Sequence, residues 1–443
     1  MRLGETLQKV ASAAALSELL PPMTRHEAAI EAARCLMCYD APCTQACPTH
    51  IDIPKFIKKI STHNLRGSAR AILESNLLGA TCARVCPVQE LCEGACVLGA
   101  EHKPIAIGRL QRYAMDYAYG NGVPFFQPEK KTGIKIAVIG AGPAGLSCGG
   151  ELAKRGHSVT LFEKRDLAGG LSTYGIIGLR EPIEVALAEV GMLTKLGIKI
   201  ETGKELGRNL SFDELQKTYD AVFLSVGLGL MTTLGIPGEE YIVDGLEYIE
   251  QSKLEANKLV VGRNVVVIGA GNTAIDCATI AKRLGAQQVT MVYRRSEKEM
   301  TAYAHEYEFI KHEAVRLAFL MQPARVVVEG GRVQALECLR VSLGVVDASG
   351  RPSPQTVAGS EFLMTADQIV KATGQEKPHL AAVLKLKTEK GFIQVDSKFE
   401  TSLPGVYAGG DCIRARGAAS TVMAVQDGKL AARAIDERLV GNG

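Results

Sequence analysis

Twice along this chain a run of β-branched and aliphatic residues ends in a glycine-rich turn and passes straight into a helix-forming stretch. The first is KIAVIGAGPAGLSCGGELAKRG and the second is NVVVIGAGNTAIDCATIAKRLG. An apolar strand that leads at once into a helix predicts a βαβ crossover and a parallel sheet. Two such units predict two α/β domains rather than a bundle or a β-sandwich. In the first, Gly140 permits the tight turn and Gly142 lets the backbone approach a pyrophosphate. Gly145 lets helix and strand pack closely, and Pro143 and Ala144 open the helix. The free N–H groups at that helix start favour an anion. Glu163, 23 residues past Gly140, ends the next strand beside Lys164. A carboxylate there can accept both hydroxyls of a ribose. The turn Gly169-Gly170-Leu171 follows and resembles turns found beside flavin.

The second loop reads Gly269, Gly271 and Ala274, with Asn272, Thr273 and Asp276 completing the turn and the first helical residues. The place equivalent to Glu163 holds Val292, and Arg294 and Arg295 follow. A guanidinium suits a 2′-phosphate, which a carboxylate would repel. The expectation is therefore FAD at the first site and NADP rather than NAD at the second. Two further turns fit a flavin oxidoreductase. One is Ala372-Thr373-Gly374; the other is Gly409-Gly410-Asp411, followed by the candidate contact Thr421 and a closing helix near Val425–Leu439. Hydride transfer between nicotinamide and flavin needs no protein acid or base. No catalytic residue is expected.

Eight of the twelve cysteines lie in the first 100 residues. Cys35, Cys38, Cys43 and Cys47 form one group; Cys82, Cys86, Cys92 and Cys96 form the other, with Pro48 and Pro87 next to Cys47 and Cys86. Clustered thiols ligate zinc or iron–sulfur clusters. A neighbouring flavin favours iron–sulfur, because flavin accepts electrons in pairs and can release them singly. The counts alone suggest four cysteines for each of two clusters. The scattered histidines show no metal spacing.

The formal charge of +3 leaves no basic stripe for nucleic acid, and no stretch is long and apolar enough for a membrane span. Val10–Leu20 contains Glu18, so a signal peptide is not expected and a cytoplasmic protein is. The organisation expected is a helical iron–sulfur domain over 1–125 and a linker over Gly120–Gly133. An FAD domain over 133–240 plus 360–443 follows, with an NAD(P)H domain over 241–359 inserted into it.

The segments CLMCYDAPCTQACPTHIDI, CARVCPVQELCEGAC and PIAIGRLQR, with the nucleotide motifs behind them, resemble the electron-input part of dihydropyrimidine dehydrogenase. The resemblance covers essentially the whole chain. It implies two 4Fe–4S clusters with crossed ligation. Cys35, Cys38, Cys43 and Cys96 hold one; Cys47, Cys86, Cys92 and, unusually, Gln111 hold the other. Cys82 is left as a small buried neighbour. It also implies a partner, an FMN- and iron–sulfur-containing catalytic subunit that reduces uracil or thymine, and hence a hetero-oligomer. The small subunit of glutamate synthase has the same architecture and is the nearest alternative. Asp40-Ala41-Pro42-Cys43 and Gln111 favour the pyrimidine branch. A ferredoxin–nicotinamide transhydrogenase subunit and an iron–sulfur sensor without turnover are the others.

Overall fold

The computed structural model describes residues 17–122, 124–346, 350–415 and 419–441. In chain order the first helices are α1 (Arg25–Ala33), α2 (Pro42–Ala46), α3 (Ile53–Ser61), α4 (Leu65–Leu73), α5 (Gly79–Val85) and α6 (Ile107–Gly120). Their starts are written in the sequence. Thr24 and Glu27 form a capping box on α1, Asp52 accepts from the Lys55 N–H on α3, and Asn64 accepts from the Gly67 N–H on α4. Helix α3 buries Ile53, Phe56, Ile57 and Ile60 against Ile72, Leu73 and Leu110. Each such side chain contributes about 1.5–3 kcal/mol of burial, which closes a core around otherwise short helices.

A first α/β segment follows, with β1 (Lys135–Ile139), α7 (Pro143–Lys154), β2 (Ser158–Phe162), α8 (Ile183–Thr194), β3 (Lys199–Glu201) and β4 (Ala221–Leu224). The next elements are β5 (Val243–Asp244), α9 (Gly245–Leu254), β6 (Asn264–Ile268), α10 (Asn272–Arg283), β7 (Gln288–Tyr293), α11 (Ala304–His312) and β8 (Arg316–Phe319). Then come β9 (Met321–Glu329), β10 (Arg332–Val346), β11 (Pro352–Thr356), β12 (Phe362–Thr365) and β13 (Gln368–Lys371). The chain closes with β14 (Val406–Ala408) and α12 (Thr421–Val440).

Two compact units result. One holds Leu19–Thr173, Arg180–Leu228 and Lys377–Gly443. Its parallel sheet runs β14-β4-β1-β2-β3. The helices α1–α6 belong to this unit. Leu77, Leu78 and Cys82 share a core with Val138, Leu152 and Phe223 of the sheet layer. Residues 124–133 are packed rather than loose. The Glu129 and Thr132 N–H groups donate to the Lys154 and Gly156 carbonyls, and the Lys154 ammonium sits 4.4 Å from the centre of the Phe126 ring.

The other unit is built chiefly on Gly229–Glu376. Its parallel sheet runs β5-β13-β6-β7-β8, beside an antiparallel ladder of β9, β10, β11 and β12. The span 360–443 was expected to belong wholly to the FAD domain. Instead β13 pairs in parallel with β6, Gln368 opposite Val265 through Lys371 opposite Ile268. The chain therefore returns to the first unit only at Lys377, and the second unit opens at Gly229 rather than 241. An apolar strand such as IVK fits either sheet, and only backbone pairing decides between them.

Candidate functional site

The first glycine loop behaves as its spacing requires. Gly140 has φ +97°, and a β-carbon there would stand 2.4 Å from the Ser225 carbonyl oxygen. A β-carbon on Gly145 would stand 2.0 Å from the Gly140 oxygen. Helix α7 has Gly142 as its N-cap and no side chain capping it, so its first N–H groups are left for a ligand. Two distant glycines close on the same point. A β-carbon on Gly170 would meet the Gly142 Cα at 2.7 Å, and one on Gly410 (φ +82°, ψ −157°) would meet the Ala144 Cβ at 3.0 Å. The loop, the Gly169-Gly170 turn and the Gly410-Asp411 turn thus form a single cradle that any side chain would fill.

Glu163 is buried beside this cradle. It accepts from the Ala141 N–H at 2.9 Å and the Arg165 N–H at 3.0 Å, which aims the carboxylate at the loop. Lys164 is exposed, and Leu171 is 37% exposed. Asp411 is pushed up by burial, with Arg414 opposing. Asp427, on α12, accepts from the Gly410 N–H at 3.0 Å and from the Arg414 guanidinium; burial raises it to about 6. Thr421 is the first residue of α12, behind a Ser420 cap. The narrow cradle and unclaimed helix N–H groups fit a flavin dinucleotide.

The second loop repeats the pattern in the other unit. Gly269 has φ +140°, and a β-carbon there would lie 2.2 Å from the Ala372 oxygen. Gly271 is the uncapped N-cap of α10. Asn272 is held by the Tyr303 N–H, which donates to its Oδ1 at 3.1 Å; Ala274 and Asp276 are buried, and Thr273 is half-buried. Thr373 and Gly374 lie in this unit. The Thr232 N–H donates to the Gly374 oxygen at 2.8 Å and the Thr373 hydroxyl to the Thr232 oxygen at 3.1 Å. They directly follow β13 of this unit's parallel sheet.

The two arginines separate. Arg295 is 3% exposed and its Nε donates to the Pro352 oxygen at 2.9 Å, on β11. Arg294 is exposed. Both follow the end of β7 at Tyr293, in a bend that leaves Arg294 exposed and Arg295 buried. Of the expected arginine pair, Arg295 is engaged by β11 and Arg294 is exposed. Beside it runs an open groove lined by Ser296, Glu297, Lys298, Met300, Tyr307 and Phe319.

The amino-terminal thiols gather across the two sequence groups. Cys35 lies within electrostatic reach of Cys38 and Cys96, and Cys43 within reach of Cys96, Cys35 and Cys38. These four line one small cavity with Pro42, Ile53, Ile57 and Ile107. Cys86 faces Cys82, Cys92 and Cys47, and Cys92 faces Cys47 as well. Cys82 and Cys86 lie one turn apart, Cys82 within α5 and Cys86 at its C-cap. Gln111, on α6, is buried, and its Nε2 donates to the Gly79 oxygen at 2.7 Å. That bond fixes the amide and leaves its oxygen as the available ligand atom.

Burial raises the Cys35 and Cys43 thiols, Cys43 to about 11. A bound cation would reverse that by favouring thiolates. Among the described residues, no three His, Cys, Asp or Glu side chains are close enough to hold a single ion. Four-coordinate zinc needs sulfurs about 3.8 Å apart, from Zn–S bonds of about 2.3 Å; a multi-iron cluster stands between its ligands and spreads them wider. The thiol-rich donor set fits iron–sulfur.

Residues 134–428 match the family described as pyridine nucleotide-disulphide oxidoreductase. The chain belongs to that family. Residues 12–123 match the family described as dihydropyrimidine dehydrogenase domain II, 4Fe-4S cluster. Together these matches make the chain an FAD- and NAD(P)-dependent iron–sulfur oxidoreductase. It is 35% identical over 426 residues to the NAD-dependent dihydropyrimidine dehydrogenase subunit PreT of Escherichia coli K12, covering 96% of this chain and 98% of the relative. Over 442 residues it is 35% identical to the NADPH glutamate synthase small chain of the same strain, covering 94% and 93%. It is 36% identical over 427 residues to the NADP(+)-dependent formate dehydrogenase subunit beta of Moorella thermoacetica, of which it spans 60%. Thioredoxin reductase of T. acidophilum has the same fold over 69% of this chain and 98% of its own, with a TM-score of 0.54 and 22% identity. The named relatives include subunits of enzymes with different substrates. No helix among the described residues is long and apolar enough to cross a membrane.

Sequence reasoning missed the polar groups that hold these elements in place. The Ser225 hydroxyl donates to the Gly140 oxygen at 2.8 Å. On α8, Glu189 reaches the start of α5. Lys429, on α12, bonds two carbonyls of the helical segment. Only Glu189 left a signal, a carboxylate in the apolar run VALAEVGML.

Proposed function

We propose that this chain is the electron-input subunit of a dihydropyrimidine dehydrogenase. In this reading it oxidises NAD(P)H, with NADP favoured, and passes single electrons through two 4Fe–4S clusters to an FMN-containing partner. That partner reduces uracil or thymine to the 5,6-dihydropyrimidine in a cytoplasmic hetero-oligomer. The observation that carries it is the crossing of the two sequence groups: Cys96 lies within reach of Cys35 and Cys43, and Cys47 within reach of Cys86 and Cys92, while Gln111 is anchored on Gly79, at the start of the helix that carries Cys82.

FAD supplies the two-electron to one-electron conversion when bound. Gly140, Gly142, Gly145, Gly170 and Gly410 open the space for its pyrophosphate, and the α7 N–H groups bind it. Glu163 is preset for the ribose. In the other unit the α10 N–H groups, Gly269 and Gly271 receive the second dinucleotide, and Arg294 the 2′-phosphate. The apolar walls around Cys35 and Cys43 exclude water from one cluster.

The glutamate synthase small chain is as similar as PreT, so the test sets the two readings against each other. The native partner is co-purified and the complex assayed with NADPH. Oxidation with uracil or thymine supports the proposal; oxidation only with 2-oxoglutarate plus glutamine overturns it.

A further inference from the structure

Lys429 is 6% exposed, midway along α12. Its Nζ donates to the Thr49 oxygen at 2.8 Å and to the Ser75 oxygen at 2.9 Å. Both carbonyls belong to the helical segment, and Thr49 follows Cys47 by two residues. The Thr49 hydroxyl and the Cys47 sulfur are 3.4 Å apart. The residues before Lys429 face the flavin cradle. Asp427 accepts from the Gly410 N–H, and a β-carbon on Gly428 would lie 2.2 Å from the Ala144 oxygen. One helical turn therefore touches the flavin loop, the flavin helix and the cluster loop.

A lysine with two carbonyl acceptors is a latch. Charge strengthens both hydrogen bonds, but burying it costs free energy that a neutral donor would not incur. Its neighbours suggest what the charge is for. Arg433, Lys154, Glu151 and Cys47 face it. Two groups favour the charged lysine: Glu151, whose carboxylate is also shared with Lys154 at 3.1 Å and Arg155 at 3.0 Å, and Cys47. Burial, with Arg433, lowers the ammonium to about 8, which leaves it charged at neutral pH.

We propose that the Lys429 ammonium raises the reduction potential of the cluster that Cys47 ligates, and so draws electrons out of the flavin cradle. The inference rests on the two-cluster reading above. In the step, the reduced flavin loses one electron and the cluster gains one; no bond forms or breaks, and Lys429 keeps its proton. The extra negative charge on the reduced cluster is stabilised by a fixed cation in a poorly screened interior.

The test is a reductive titration of the as-purified holoprotein followed by electron paramagnetic resonance, with iron and sulfide counted in each sample. Lys429→Gln keeps N–H donors and removes the charge, Lys429→Met removes both, and Lys429→Arg keeps the charge. The two neutral variants are expected to lower one cluster's potential by about 59 mV, a tenfold change in its electron affinity. The other cluster stays in place, and Lys429→Arg stays near the parent. Unmoved potentials in loaded Lys429→Gln and Lys429→Met refute the inference. So does loss of iron from both, because Lys429 is then a latch alone. A parent chain that binds only one cluster refutes the two-cluster reading itself, and the inference with it.

Discussion

Replacing Glu189 by Gln should stabilise the protein, and increasingly so as pH rises. Glu189 is 1% exposed and Glu181 0%. The Thr81 hydroxyl lies 2.5 Å from Glu181 Oε1 and 2.5 Å from Glu189 Oε2. One hydroxyl has one proton, so it can donate to one carboxyl and must accept from the other. The pair is satisfied only when it holds a proton. Burial raises Glu189 to about 8, with the Glu181 charge adding to the shift. A carboxyl raised in the folded state binds more protons there than in the unfolded chain. Its stability contribution is thus full below about pH 4.5 and lost as pH rises through about 8.

At about 1.4 kcal/mol per unit, the ionised state is disfavoured by on the order of 5 kcal/mol above pH 8. The amide introduced by Glu189→Gln would not titrate. Its oxygen would still accept from the Ala80 and Thr81 N–H groups that Glu189 Oε1 now takes, and its NH2 group would donate to the Thr81 hydroxyl. Thermal midpoints of parent and Glu189→Gln, measured on iron-matched holoprotein at pH 5, 7 and 9, should differ little at pH 5. The variant should lead by several degrees at pH 9. A constant difference across the three pH values, or a less stable variant at pH 9, would refute the argument.

Removing the Arg294 guanidinium (Arg294→Ala) should raise KM for NADPH about tenfold or more and leave NADH unchanged, since one charged hydrogen bond is worth about 1.5–3 kcal/mol. Arg295→Ala should lower the thermal midpoint without changing that preference, because its Nε bonds Pro352; steady-state kinetics with both nucleotides separates the two. Gln111→Ala should fall from about eight to about four irons per chain while Cys82→Ala keeps its iron, if Gln111 and not Cys82 is the ligand. The opposite pattern reassigns the site. Gly145→Ala should purify without flavin absorbance, because its β-carbon would meet the Gly140 oxygen at 2.0 Å; a yellow, fully loaded variant would show that the cradle is looser than its geometry.

The local elements were legible in the amino-acid order: both βα units, the glycines at their turns, the capped helices and the thiols. Each is set by residues a few positions apart, through φ angles, caps and apolar periodicity. The tertiary structure decided what depends on pairing between distant segments. Strand β13 joined the inserted sheet because its backbone registers with β6, and IVK carries no label for either sheet. Arg294 and Arg295 looked equivalent until β11 claimed one of them. Cys96 joined Cys35 rather than its own neighbours because the folded helices bring its thiol there. Lys429 and Glu189 went unread for the same reason. Their partners lie about 380 and 110 residues away, and a buried charge is explained only by what it meets.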